Sequence, residues 1–228
     1  MSSTRLPGKT LADLGSEPLL SLLVSRLKRA GRLERILIAT SGGSDDDPIA
    51  ALAGPLEVDI HRGPRDDVLT RFAEAIGEHR GTVVRITGDC PLIDPDVVNA
   101  VIDLLEATPG CGYASNVEPR TYPDGLDVEA FPAEALLTVA AEARDPADRE
   151  HVTSAIRRDP ERWPQASLTE GRDLAELRWT VDTEADLEFI RQVVGRLGER
   201  RYEAGLEEIR DAILAEPSLA DFGGARRA

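Results

Sequence analysis

The ten residues Thr82-Val83-Val84-Arg85-Ile86-Thr87-Gly88-Asp89-Cys90-Pro91 restrict what this chain can fold into more than any other stretch. A short β-branched run ending in Gly-Asp and then Pro reads as a buried strand that delivers one carboxylate to the edge of an open sheet. Gly88 lets the backbone turn sharply, and Pro91 stops the strand from continuing. Asp94-Pro95-Asp96 then starts a helix, with Asp94 as N-cap and Pro95 at the first helical position. In open α/β sheets the ligand crevice lies outside the carboxyl ends of the strands. The order strand, carboxylate, helix therefore puts Asp89 where chemistry is done.

The same grammar recurs along the chain. Apolar runs at 35–40, 58–61, 111–114 and 177–181 read as strands, and 126–131 alternates, with Leu126, Val128 and Ala130 on one face and Asp127, Glu129 and Phe131 on the other. Amphipathic segments at 18–30, 67–79, 95–106, 132–144, 146–158, 187–197 and 202–215 read as helices. Asp182 ends the strand at 177–181, and Thr183-Glu184-Ala185-Asp186 is a capping box for the helix behind it. The expected organisation is one α/β domain over 1–228, with a core to 216 and a frayed tail over 217–228.

A net charge of −15 over 228 residues opposes a nucleic-acid or anionic membrane partner, because the summed field repels polyanions. No stretch reads as a spanning helix or signal peptide. The two cysteines, Cys90 and Cys111, form neither a disulfide framework nor a metal-ligand spacing, which fits a reducing cytoplasm. Only two of the 27 basic residues are lysines, Lys9 and Lys28, so a lysine at position 9 stands against the compositional bias.

Asp89 and Asp182 occupy matching positions, each at a strand end and each just before a capped helix. If their strands are close, both carboxylates face one crevice, an arrangement that suits Mg²⁺ held jointly by protein and substrate phosphate. Arg5 and Lys9, in a polar Gly- and Pro-containing opening loop, are the cations available to a phosphate. The competing reading is that each aspartate only caps its helix and that the opening loop is a mobile end. Asp127 and Glu129, on one face of a strand, are either solvated or lining a polar pocket.

Five segments resemble the cytidylyltransferase family: Met1 to Lys9, Arg85-Ile86-Thr87-Gly88-Asp89-Cys90-Pro91-Leu92-Ile93-Asp94, Thr121-Tyr122-Pro123-Asp124-Gly125-Leu126-Asp127-Val128-Glu129, Arg149-Glu150-His151-Val152-Thr153, and Arg178-Trp179-Thr180-Val181-Asp182-Thr183. The likeness is to the spore-coat polysaccharide branch, related to acylneuraminate and ketodeoxyoctonate cytidylyltransferases. It implies a Rossmann-like nucleotide-diphospho-sugar transferase fold, an α/β architecture with a mostly parallel mixed sheet and helices on both faces. It also implies Mg²⁺-dependent transfer of CMP from CTP to a sugar acid or other small acidic acceptor, with release of pyrophosphate, by a homodimer.

On that resemblance, Asp89 and Asp182 bind Mg²⁺, and Arg5 and Lys9 hold the triphosphate. Ser3 and Ser41 touch the nucleotide through their hydroxyls or are ordinary loop serines. Arg85 faces a phosphate or the acceptor, or forms a buried ion pair. The acceptor lies by Asp124, Asp127 and Glu129, and His151 is either a general base or a structural histidine. Cys90 is a packing residue or an acceptor contact, since no covalent step is needed. The family pattern opens with an apolar strand and an Ala-Arg pair ahead of the position of Met1. The expectation is that the start was assigned at an internal methionine, with about 5–10 residues preceding it. Use of another NTP, and a degenerate nucleotide-binding protein without activity, are the alternatives.

Overall fold

In the computed structural model, which describes residues 5–223, the alternation of strands and helices is present, but the sheet it builds comes in two pieces. A 3-10 turn at Lys9–Leu11 precedes α1 (Leu19–Leu27), β1 (Leu37–Ser41), α2 (Asp47–Leu52), β2 (Asp59–Gly63) and α3 (Val68–Ile76). Then come β3 (Thr82–Arg85), α4 (Pro95–Ala107), β4 (Tyr113–Ser115), β5 (Glu129–Pro132), α5 (Ala133–Glu142), α6 (Pro146–His151) and α7 (Ser154–Arg158). The chain continues with β6 (Gln165–Ser167), α8 (Glu184–Leu197), α9 (Leu206–Leu214) and α10 (Pro217–Gly223).

β1 and β2 form a parallel pair, Leu37 opposite Asp59 and Ser41 opposite Gly63. The other piece runs β3-β5-β4-β6, with β5 antiparallel to both of its neighbours and β4 parallel to β6. Successive side chains along each strand point to opposite faces. Val84, Ala114 and Ala130 accordingly join a core with α1, α4, α8 and α9, while their neighbours Val83, Tyr113 and Phe131 join a second core with α3, α5 and α7. Helices thus cover both faces, as an α/β fold requires.

Local chemistry fixes the helix starts. Asp94 is buried and caps two helices, its Oδ1 accepting from Asp96 N (2.8 Å) at α4 and its Oδ2 from Leu206 N (2.7 Å) at α9. Thr183 and Asp186 form the reciprocal capping box of α8, and Asp145 caps α6 through Ala147 N.

Four elements differ from the sequence expectation. Residues 177–181 are extended but make no strand, because the neighbouring segment is the turn at 121–125 and only the Asp124–Arg178 bridge joins them. The strand expected at 126–131 begins at Glu129. The helix expected over 146–158 breaks at Val152, which is fully buried at φ 52°, a costly conformation for a β-branched residue. The break brings Thr153 Oγ1 within 2.6 Å of Glu129 Oε1. The tail expected to fray from 217 is helical to 223, with Leu219 buried and the Phe222 ring 5.2 Å from that of Phe189.

Glu129, the carboxylate of β5, is buried. It accepts from Tyr113 Oη (2.7 Å) and Thr153 Oγ1, and it pairs with Arg85. Burial opposes its charge, but the Arg85 guanidinium and the two hydroxyls outweigh burial and hold the carboxyl below the usual range. A depressed folded pKa contributes stability above the unfolded value, about 4.3, and loses it as pH falls through the folded value. Glu129→Gln is therefore expected to lower the unfolding free energy by roughly 3 kcal/mol at pH 7, the low end for a broken buried pair because Arg85 is partly accessible. Urea titrations at pH 7 and pH 3 should show the gap between wild type and variant closing at the lower pH.

Candidate active site

The turn after β3 and the segment after Leu177 come from distant parts of the chain and are fastened by their backbones. Val181 N donates to Asp89 O (2.9 Å), and Thr180 Oγ1 donates to the same carbonyl (3.3 Å). On the far side, Asp124 N donates to Leu177 O (2.9 Å) and Trp179 N to Asp124 O (2.6 Å). Gly125 makes that approach possible. It sits at φ +115°, and a Cβ there would lie 2.6 Å from the Trp179 carbonyl carbon and 2.7 Å from Thr180 N.

This fastening brings the two aspartates onto a single cation. Lys9 Nζ donates to Asp89 Oδ2 (2.7 Å), Asp182 Oδ1 (3.0 Å) and Val181 O (2.8 Å). Burial opposes the Lys9 charge, but Asp89 and then Asp182 more than compensate and hold the ammonium above its usual range. Arg5, whose side chain is 64 % exposed, reaches the same Asp182 oxygen at 3.1 Å. Arg178 takes the other, with Nη2 2.5 Å from Asp182 Oδ2 and Nη1 2.6 Å from Asp186 Oδ1. Burial works against the Asp182 carboxylate; Lys9, Arg5 and Arg178 overcome it, so its pKa lies below the ordinary range.

The structure brings together Arg5, Lys9, Asp89 and Asp182, with Asp124 one residue further out through Arg178 Nε (3.6 Å). Asp127 accepts from Arg120 Nη1 and Nη2, at 2.5 and 2.7 Å. Glu129 neither meets solvent nor lines an open pocket, because the second core covers that face of β5, and Arg85 is its ion-pair partner. Ser41 ends β1, where Asp46 Oδ2 accepts from Ser41 N (3.0 Å) and Thr40 Oγ1 (2.8 Å). His151 is exposed at the end of α6, and no described contact ties it to the aspartates. Cys90 is buried, and burial pushes its thiol well up, which suits packing. Ser3 lies outside the described residues.

Sequence reasoning gave no role to Arg178 or Arg120, yet each neutralises carboxylates beside the site. For Arg178 a signal existed. It stands four residues before Asp182 and eight before Asp186, in a stretch whose acids outnumber its bases. Arg120 precedes Asp124 and Asp127 in the same way.

Among the described residues no group of three or more His, Cys, Asp or Glu side chains is placed to hold a metal ion by itself. Two carboxylates do converge, and such a pair suits an ion that draws its remaining oxygens from a phosphorylated substrate and water.

A family model described as cytidylyltransferase matches residues 1–212. The chain is 32 % identical over 208 residues to the spore coat polysaccharide biosynthesis protein SpsF of Bacillus subtilis, covering 88 % of this chain and 85 % of that protein. A shorter match, 38 % identical over 109 residues, is to a 3-deoxy-manno-octulosonate cytidylyltransferase of Anaeromyxobacter dehalogenans, covering 46 % of this chain and 43 % of that one. Among solved structures, a cytidylyltransferase from Leptospira borgpetersenii superposes with a TM-score of 0.90 at 28 % identity, over 96 % of this chain and 92 % of that chain. The fold is that of the nucleotide-diphospho-sugar transferases, and the chain belongs to the cytidylyltransferase family, a family of nucleotidyltransferases.

Proposed function

We propose that this protein is an Mg²⁺-dependent cytidylyltransferase that transfers CMP from CTP to a sugar acid or related acidic acceptor, releasing pyrophosphate. Its place would be polysaccharide biosynthesis in a reducing cytoplasm, acting as a homodimer. The observation that supports the reading most is the convergence of Asp89 and Asp182 on one cation beside Arg5. The family supplies the class of reaction, and the names of the two relatives above suggest the class of acceptor.

In such a reaction an acceptor oxygen attacks the α-phosphorus in line, the bond from that phosphorus to the bridging oxygen breaks, and pyrophosphate leaves with the electron pair. Catalysis is then mostly positioning and neutralisation. Asp89 and Asp182 would hold Mg²⁺, which would supply positive charge to neutralise the triphosphate. Lys9 lies between the two carboxylates, so its ammonium would compete with a divalent ion for them. Lys9 and Arg5 are the cations at the aspartates, and they would stabilise the charge that builds on the leaving pyrophosphate as the bond breaks. Arg178 positions Asp182 by holding its second oxygen and is itself fixed on Asp186. The acceptor would lie at the 120–127 turn, with Arg120 as the local cation.

A second reading, nucleotide binding without turnover, is favoured by the divided sheet next to the site. Pyrophosphate release with each of the four NTPs and a panel of sugar acids tests both. CTP-selective turnover is expected. Tight CTP binding with no turnover on any acceptor would overturn the proposal in favour of the second reading.

Replacing Asp89 by Asn, or Asp182 by Asn, should lower kcat/KM at least about 10³-fold with circular dichroism unchanged, while Lys9→Ala should cost about 10²-fold, mostly in kcat. Lys9→Ala has a second readout. Without nucleotide, the ammonium no longer competes for the carboxylates, so Mn²⁺ affinity measured by paramagnetic relaxation should rise roughly tenfold, a change of about 1.4 kcal/mol.

A further inference from the structure

Arg26, in the last turn of α1, is fully buried, and the partners of its guanidinium are backbone carbonyls. Nε donates to Ile93 O (2.7 Å), Nη2 to Ala204 O (2.7 Å) and Leu92 O (3.3 Å), and Nη1 to Arg201 O (2.5 Å). Burial pushes the group down to about 10, with Asp94 working against that fall. Its neighbours on α1, Leu22, Leu23 and Leu27, are core residues, and an apolar side chain in their midst would carry no desolvation cost. A cation at this place therefore answers to the carbonyls it serves, not to packing.

Those carbonyls belong to two segments. Leu92 and Ile93 lie in the turn behind Asp89, where Ile93 N donates to Cys90 O (3.2 Å); Arg201 and Ala204 lead into α9. Asp94 takes amides from the same two segments, Asp96 N and Leu206 N, so Arg26 and Asp94 divide the buried backbone groups between them by sign. The helix that carries Arg26 also carries the opening turn: Ala12 N donates to Lys9 O (3.0 Å) and Leu19 N to Ala12 O (2.9 Å). Bonds thus run from Lys9 through α1 and Arg26 to Ile93 and Cys90, and Lys9 Nζ closes the circuit on Asp89 Oδ2 at 2.7 Å.

We infer that Arg26 is a positioning residue: by fixing the turn at 90–93 on α1, it sets where Asp89 stands against Lys9. The bond from Val181 N to Asp89 O cannot do this, because it fixes Asp89 against the Asp182 segment and leaves α1 out. Lysine is no substitute, since three donors on a point charge do not span four carbonyls on two segments as a planar guanidinium does. The kinetic effect of Arg26 rests on the cytidylyl transfer proposed above; its effect on the contact between Lys9 and Asp89 does not.

The test compares wild type, Arg26→Lys and Leu136→Ala, the last opening a cavity in the second core, away from the aspartates. The direct readout is exchange of the Lys9 ammonium with water, followed by nitrogen-15 NMR without metal or nucleotide. Lys28, the only other lysine, is 41 % exposed and serves as the reference signal. In Arg26→Lys the Lys9 exchange is expected to speed up about 10-fold, and kcat to fall about 10-fold with KM for CTP within about twofold. Leu136→Ala should lower the urea midpoint and leave both readouts unchanged. Lys9 exchange at the wild-type rate in Arg26→Lys overturns the inference, as does an equal speeding in Leu136→Ala. Absence of turnover in every chain, wild type included, would remove the proposed reaction and leave the Lys9 signal to decide on Arg26. Should Arg26→Lys fail to fold, wild type in rising urea decides: protection of Lys9 should never outlast that of Arg26 Nε–H, and a Lys9 ammonium still protected once Arg26 exchanges freely overturns the inference.

Discussion

Lys9 ties three parts of the chain at one point: its own opening turn, the turn after β3 and the segment that leads into α8. Without a cation between them, two carboxylates this close would repel by roughly 4 kcal/mol at 4 Å under the effective dielectric of a protein surface. The demand extends beyond the pair, because Asp124 and Asp186 stand one residue further out and the chain as a whole carries −15. Arg178 meets it by contacting three of these acids from one planar group, a task that a point charge on a lysine would perform less well. The local excess of acid is thus neutralised within the site by one lysine and two arginines.

Much of this was legible because the signals are local. Asp94-Pro95, Asp145-Pro146 and Thr183 to Asp186 each fix a helix start through one side-chain oxygen and one or two backbone N–H groups; the first two starts are where the sequence puts them, and α8 begins at Glu184, three residues ahead of the expected 187. Asp89 and Asp182 were readable as a pair for the same reason, since each follows an apolar run and precedes a cap. That they meet depends on backbone bonds between Asp89 and Val181, which no local rule supplies. The resemblance to the cytidylyltransferases put both in one site before any coordinates did.

What stayed hidden depends on what covers a residue. Alternation along β5 correctly separates Glu129 from Val128 and Ala130, but it cannot say whether the Glu129 face meets water or a second layer of helices. In a sheet covered on both sides, a polar residue on the second face is as enclosed as its apolar neighbours, and Glu129 is satisfied by Tyr113, Thr153 and Arg85. The break at Val152 left no trace either, because the residue in the left-handed region is β-branched where the usual signal is glycine. Residues 177–181 have the composition of a strand and lack only a strand for a neighbour.

The division of the sheet and the integrity of the acidic site coexist because they rest on different bonds. The aspartates are fastened above the strand ends, by Val181 on Asp89, by Trp179 on Asp124 across Gly125, and by Asp94 holding the starts of both α4 and α9. None of these crosses the cleft between β1 and β3. The Ser41 loop, in contrast, belongs to the two-stranded piece and is ordered by Asp46 and Arg62 within it. Any shift of one sheet piece against the other would therefore move the Ser41 loop relative to Asp89 while leaving the aspartate pair intact. The charge arrangement around the aspartates is thus set by the turns, independently of the bonds that order either sheet piece.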